Sequence, residues 1–139
     1  MTQHMEFKTE VKYAGTGLQF TGHGPEGTTI HIDGNTGTGP SPLVLLLQSL
    51  AACAAIDIIH ILQKMRLPLE SLTVEVDAER EEGKDTARKW TAVHLRFKMK
   101  GDIPPARAQK AIDLSVAKYC SVYRQLEDSA AITTELIQS

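Results

Sequence analysis

Thiols are scarce in this chain. Its 139 residues include two cysteines, Cys53 and Cys120, with no third thiol and no Cys-x-x-Cys. At most one disulfide can form within the chain, and the paired-cysteine metal and redox motifs are excluded. The five histidines, His4, His23, His31, His60 and His94, show neither His-x-His nor His-x-x-x-His spacing, which argues against a histidine metal centre. No lysine or arginine block stands out and the net charge is −2, so neither nucleic acid nor an anionic membrane surface is indicated. The glycine-rich stretch Gly34-Asn-Thr-Gly-Thr-Gly-Pro40 lacks a Gly-Lys-Ser/Thr ending and a strand–helix–strand context, so it reads as a turn or hinge rather than a phosphate loop. Internal repeats and low-complexity tracts are absent, and Met1-Thr-Gln-His-Met-Glu6 has no apolar core of the kind a secretion signal needs.

What is present is an ordinary globular composition, 42% hydrophobic and 23% charged. The length suits one domain spanning 1–139. The run Leu43–Leu62 is long and apolar enough to test as a membrane span, but Gln48, Asp57 and His60 interrupt it, and Asp57 is expensive in lipid. A buried helix in a soluble, cytoplasmic protein is the better reading. In a reducing cytosol, two cysteines far apart in sequence are free thiols or a transient couple more often than a permanent link.

Alternation at Phe7, Thr9, Val11 and Tyr13 predicts a strand, and Leu18–Thr21 and Thr28–Ile32 predict two more in a meander. Ser41 and Pro42 form a helix start signal, for a helix to about Met65. Two strands come next, with Leu72, Val74, Val76 and Ala78 on one face of the first and Thr91, Val93, Leu95, Phe97 and Met99 on one face of the second; Glu79–Lys89 is the charged loop between them. Prolines near Asp102 open a second helix whose face is traced by Ala108, Ala111, Ile112, Ser115, Tyr119, Val122 and Leu126, and Ile132–Ile137 closes the chain as a strand. The order β-β-β-α-β-β-α-β predicts an α+β fold with a mainly antiparallel sheet and two long central helices. The first helix is apolar nearly all round and should be enclosed on most sides. One chain of this size has too little material for that, so a homodimer packing these helices together is expected.

Both cysteines fall in predicted helices, Cys53 in Leu50-Ala-Ala-Cys-Ala-Ala-Ile-Asp57 and Cys120 in Lys118-Tyr-Cys-Ser-Val122. Inert packing, a structural disulfide and a redox couple are all compatible with this spacing. A reactive cysteine must be a thiolate. Asp57, one turn after Cys53, opposes that by charge, so an activating cation has to come from elsewhere, with His60, Arg80, Arg88 and Arg124 as candidates. Cys53, Asp57 and His60 share a helical face and also form a conceivable ligand trio, although an exposed histidine near the end of a buried helix is the commoner situation.

Gly39-Pro-Ser-Pro42, the apolar helix with Leu50-Ala-Ala-Cys53-Ala-Ala-Ile-Asp57 and the segment Lys118-Tyr-Cys120-Ser-Val122 together resemble the OsmC/Ohr family, the osmotically inducible and organic hydroperoxide resistance proteins, most closely its YhfA-like branch. The resemblance covers essentially the whole chain, including Glu79-Arg-Glu-Glu82. It implies an OsmC-like fold, an intertwined homodimer with two sites at its interface, and reduction of organic hydroperoxides in oxidative-stress defence. It further implies that Cys53 is the nucleophile that becomes a sulfenic acid and that Cys120 resolves it as a disulfide, with recycling by an external dithiol or a lipoyl-bearing protein and no metal or flavin cofactor.

Peroxidase members of the family carry a glutamate just after the proline, paired with an N-terminal arginine. Leu43 and Val44 stand after Pro42 here, and no arginine precedes Arg66. Asp57, Glu79, Arg80, Glu81 and Arg88 are the candidates for a replacement charge network. Tyr119 and Tyr123, which flank Cys120, belong to core packing or to a pocket wall. The alternative to a peroxidase on the same scaffold is a non-enzymatic redox sensor or a binder of hydrophobic ligands.

Overall fold

The computed structural model describes residues 6–139, so His4 of the histidine set lies outside the described residues. The chain divides into two compact units, one ending at Leu46 and one running from Leu47 to Ser139.

The first unit is the expected antiparallel meander of β1 (Glu10–Tyr13), β2 (Gln19–His23) and β3 (Thr29–Asp33). Phe7, expected in the first strand, precedes it and is exposed. The glycine-rich loop after β3 is built around Asp33, whose carboxylate accepts the N–H of Asn35 at 2.8 Å and both the N–H and the hydroxyl of Thr38 at 3.0 and 2.9 Å. The Asn35 N–H, ahead of the Thr38 contacts, holds the Asp33 carboxyl below its ordinary range against the opposing effect of burial. The loop's donors are thus turned onto its own side chain, the opposite of a phosphate cradle. Gly39 is required sterically, because a Cβ there would sit 2.7 Å from the His31 carbonyl oxygen.

Helix α1 (Pro42–Lys64) starts as the sequence signals. The Ser41 hydroxyl accepts the Val44 N–H at 3.3 Å, and the Ser41 carbonyl accepts the Leu45 N–H. In the second unit Leu50, Ala54, Ile58 and Leu62, spaced by four, are buried to 1% exposure or less. They pack in one core with Val93, Leu95, Phe97 and Met99, the inward alternate residues of β5 (Trp90–Gly101), and with Ala108, Ala111 and Ile112 of α2 (Pro105–Leu114). Strand β5 is central, antiparallel to β4 (Leu69–Arg80) and parallel to β6 (Ala131–Gln138). The parallel pairing is a consequence of the connection, since a strand can return in the same direction only through a crossover, here the helical region. Glu79 and Arg80, expected in the loop, belong to β4. On the outer sheet face Arg96 reaches Asp77 at 2.6 Å and Glu75 at 3.2 Å.

One expectation is corrected here. The second helical region is not one regular helix: α2 widens into a π-helical turn (Ser115–Tyr119), breaks at Cys120 and resumes as α3 (Ser121–Leu126). The wide turn shifts the residues beyond it off the α2 stripe, so Tyr119 leaves the core and is 49% exposed. Helix α1 keeps apolar residues exposed, as expected of a chain with too little material to enclose it. By length and composition it could cross a membrane, and Leu43, Val44, Leu46, Ile56 and Ile59 on it are exposed.

The core arrangement makes Phe97 its largest fully buried side chain. Phe97→Ala should cost about 3–5 kcal/mol, read from the midpoint of urea unfolding; a loss under about 1 kcal/mol would contradict this packing.

Candidate functional site

Each cysteine is placed by a different backbone device. Cys53 lies on the regular turn of α1 that also carries Ala54 and Asp57, and it is partly buried. Cys120, expected mid-helix, sits at the break with extended backbone (φ −75°, ψ 105°). It is the N-cap of α3, where its sulfur accepts the Tyr123 N–H at 3.4 Å. That leaves it 3% exposed but turned toward α1. The two thiols are free, and the sulfurs of Cys53 and Cys120 and a carboxylate oxygen of Asp57 all lie within 4.8 Å of one another.

Ser115 completes the cluster. It is fully buried on the π-helical turn, with its hydroxyl 3.1 Å from Asp57 Oδ2 and 3.3 Å from the Ala54 carbonyl oxygen. Its single proton is given to one of these acceptors at a time, the carboxylate being the stronger. Sequence reasoning placed Ser115 on the apolar stripe and assigned it no role. The available signal was a lone hydroxyl amid alanines and isoleucine, on a helix expected to face one that carries an aspartate.

Electrostatically the site is short of positive charge. Burial pushes the Cys120 thiol up to about 12, and Cys53 and Asp57 add to the rise, while the Tyr123 N–H opposes it. Two openings flank the cluster. A cleft of about 400 Å³ is lined by Asp57 with His60, Lys64 and Lys110 and by the apolar Ile61, Met65 and Leu114. A depression of about 200 Å³ at Cys120 is lined by Lys118, Tyr119 and Arg124, among others.

Of the residues singled out in sequence, the fold gathers Cys53, Asp57 and Cys120. Tyr123 contributes its backbone N–H, and its side chain packs against the core. Tyr119 lines both openings, with the Lys118 ammonium 5.2 Å from its ring centroid. His60 faces the cleft rather than joining the ligand group; Cys120 takes the place that the sequence trio gave it. Glu79, Arg80, Glu81 and Arg88 belong to the β4–β5 hairpin and its loop, and line neither opening. There the Arg80 guanidinium lies 5.8 Å from the Trp90 ring centroid, and Glu81 accepts the Lys89 N–H at 2.7 Å.

A fold of this kind, with one cysteine on α1 and another at the break before α3, matches a known class. The family model for OsmC-like proteins matches residues 34–135, and the chain belongs to that family. Within it, protein YhfA of Escherichia coli K12 is 40% identical over 119 residues, covering 84% of this chain and 87% of that protein, which places the chain in the YhfA-like branch. Two solved structures share the fold. The OsmC-like protein of Mycoplasma pneumoniae superposes with a TM-score of 0.81 at 16% identity, covering 98% of this chain and 99% of that one. The organic hydroperoxide resistance protein OhrB of Bacillus subtilis superposes with a TM-score of 0.66 at 17% identity, covering 95% and 98%.

The burial of Cys120 makes an alkaline prediction. The folded thiol keeps its proton until about 12, whereas the unfolded one ionises near its ordinary value of 9.0. Between these values the unfolded chain binds fewer protons, so stability falls as pH rises, by at most about 1.4 kcal/mol per pH unit from this group; below that window the group is neutral in both states and contributes nothing. Urea titrations above pH 9 should show a shallower alkaline loss for Cys120→Ala than for the parent chain. Equal slopes would mean that the thiol is not held neutral by the fold.

Proposed function

We propose that this protein reduces organic hydroperoxides through Cys53 and Cys120. The observation that carries the reading is the gathering of two free thiols from distant parts of the chain within 4.8 Å. Family membership and the likeness to hydroperoxide resistance proteins support a redox, peroxide-related role.

The more accessible thiol attacks. Cys53 is partly exposed, whereas Cys120 is buried and hard to ionise, which suits the nucleophile and the resolving thiol respectively. The Cys53 sulfur attacks one peroxide oxygen and the O–O bond breaks. The leaving oxygen takes a proton and departs as an alcohol, leaving a sulfenic acid on Cys53. The Cys120 sulfur then displaces the sulfenic hydroxyl, which departs with a proton as water, and the disulfide forms. A dithiol, free or carried on a lipoyl protein, restores both thiols by exchange. Asp57, with a carboxylate oxygen within 4.8 Å of the Cys53 sulfur, is the candidate acceptor of its proton, with Ser115 steadying the carboxylate. The apolar Ile61, Met65 and Leu114 of the cleft suit a hydrophobic peroxide. No metal or flavin enters this chemistry. The exposed Ile56 and Ile59 on α1 support a homodimer, and a reducing cytoplasm is the setting in which such a thiol couple is recycled.

One observation favours a second reading, a stoichiometric sensor: Leu43 and Val44 replace the family's activating glutamate, and no arginine precedes Arg66. The two readings separate on turnover with excess dithiol.

The test is a mass and free-thiol count before and after one equivalent of cumene hydroperoxide. The parent chain should lose two hydrogens and both thiols, reversibly with dithiothreitol. Cys53→Ser should fall to background turnover, and Cys120→Ser should stop at a sulfenic acid trapped by dimedone. Unchanged thiols in folded protein, or undiminished turnover in Cys53→Ser, would overturn the proposal.

A further inference from the structure

The same cluster has a second capability that peroxide chemistry does not use. We propose that Cys53, Cys120 and Asp57 form a binding site for a thiophilic divalent cation, zinc above all, with the fourth coordination position left to water or a small ligand.

The donor set and its reach carry the argument. Two sulfurs and a carboxylate oxygen converge within 4.8 Å of one another. In a tetrahedral zinc site with bonds of about 2.3 Å to sulfur and about 2.1 Å to oxygen, such atoms stand roughly 3.6–3.8 Å apart. Side-chain rotation of order 1 Å closes that gap. Thiolate donors select zinc over magnesium or calcium, and three protein ligands with one open position is the arrangement of reactive rather than purely structural zinc sites.

The outer hydrogen bonds are the second observation. A metal-bound carboxylate is held in place by hydrogen bonds from outside the metal's own ligands, and the fully buried Ser115 hydroxyl is 3.1 Å from Asp57 Oδ2. A metal-bound thiolate is steadied by a backbone N–H, and Tyr123 supplies one to Cys120. These bonds are already in place around a buried sulfur.

The charge balance agrees. Two thiolates and a carboxylate bring three negative charges into a poorly hydrated place, where a dication leaves one. His60, Lys64 and Lys110 line the cleft beside Asp57, and Lys118 lines the depression at Cys120, where Arg124 is paired with Glu127 at 3.8 Å. Binding releases two protons, one from each thiol as its bond to the metal forms. The ligated pair cannot also be a disulfide, so metal occupancy and oxidation exclude each other.

The test uses the reduced, metal-free full chain without a histidine tag, in the absence of peroxide, so that failure of the peroxidase reading leaves its outcome untouched. Cobalt(II) is added as a spectroscopic stand-in for zinc. One equivalent per chain should produce thiolate-to-cobalt charge transfer and the intense visible bands of a tetrahedral ion, with two protons released, and zinc should displace it. The signal should be absent from protein oxidised with diamide. Cys53→Ser and Cys120→Ser should each remove one thiolate's share of the charge-transfer band, and Ser115→Ala should weaken binding roughly 10–100-fold with the spectrum retained. A parent chain of unchanged circular dichroism that gives no charge-transfer band would overturn the proposal. So would a band that persists in Cys53→Ser/Cys120→Ser.

Discussion

One buried hydroxyl fixes how the helical parts of the second unit meet. Ser115 has no water to turn to, and its partners, the Ala54 carbonyl and the Asp57 carboxylate, both belong to α1. A polar group at zero exposure must be satisfied by the protein, so the π-helical turn and α1 hold one register against each other. That register places Cys53, one residue from Ala54, opposite Cys120, five residues from Ser115. The apolar contacts of Leu50, Ala54, Ile58 and Leu62 with β5 supply most of the adhesion, yet hydrophobic packing alone tolerates small slips that a buried hydrogen bond does not.

The site this creates is unusual in its balance of charge. Reactive thiols ordinarily sit beside a cation or a helix N-terminus. Here Cys53 is mid-helix, Cys120 has only a backbone N–H to ease its ionisation, and a carboxylate stands between them. The positive groups line the two openings instead.

Much of this was legible in the sequence because it rests on local periodicity. The alternation through Val93, Leu95, Phe97 and Met99 could only be a half-buried strand, and Ser41-Pro42 could only open a helix where an apolar run comes next. The pairing of Cys53 with Cys120 came from the family resemblance, since no local rule joins residues so far apart. The break at Cys120 was hidden. Lys118-Tyr-Cys-Ser-Val122 contains no glycine or proline to announce a break, and nothing in its residue types calls for the π-helical turn before it. The role of Ser115 was hidden for the same reason, since a serine on an apolar stripe declares itself only when its acceptor is seen. Glu79, Arg80, Glu81 and Arg88 drew attention as charges, and within the chain their contacts serve the hairpin.

Cys120 also begins α3. A six-residue helix has little intrinsic stability and leans on whatever holds its first turn, here a sulfur lone pair. Any chemistry that withdraws electron density from that sulfur weakens the anchor of Ser121–Leu126 and loosens the surface bearing Arg124 and Gln125. One buried atom is therefore shared between the thiol pair and the first turn of Ser121–Leu126, so chemistry at the sulfur and the hold on that helix end are not independent.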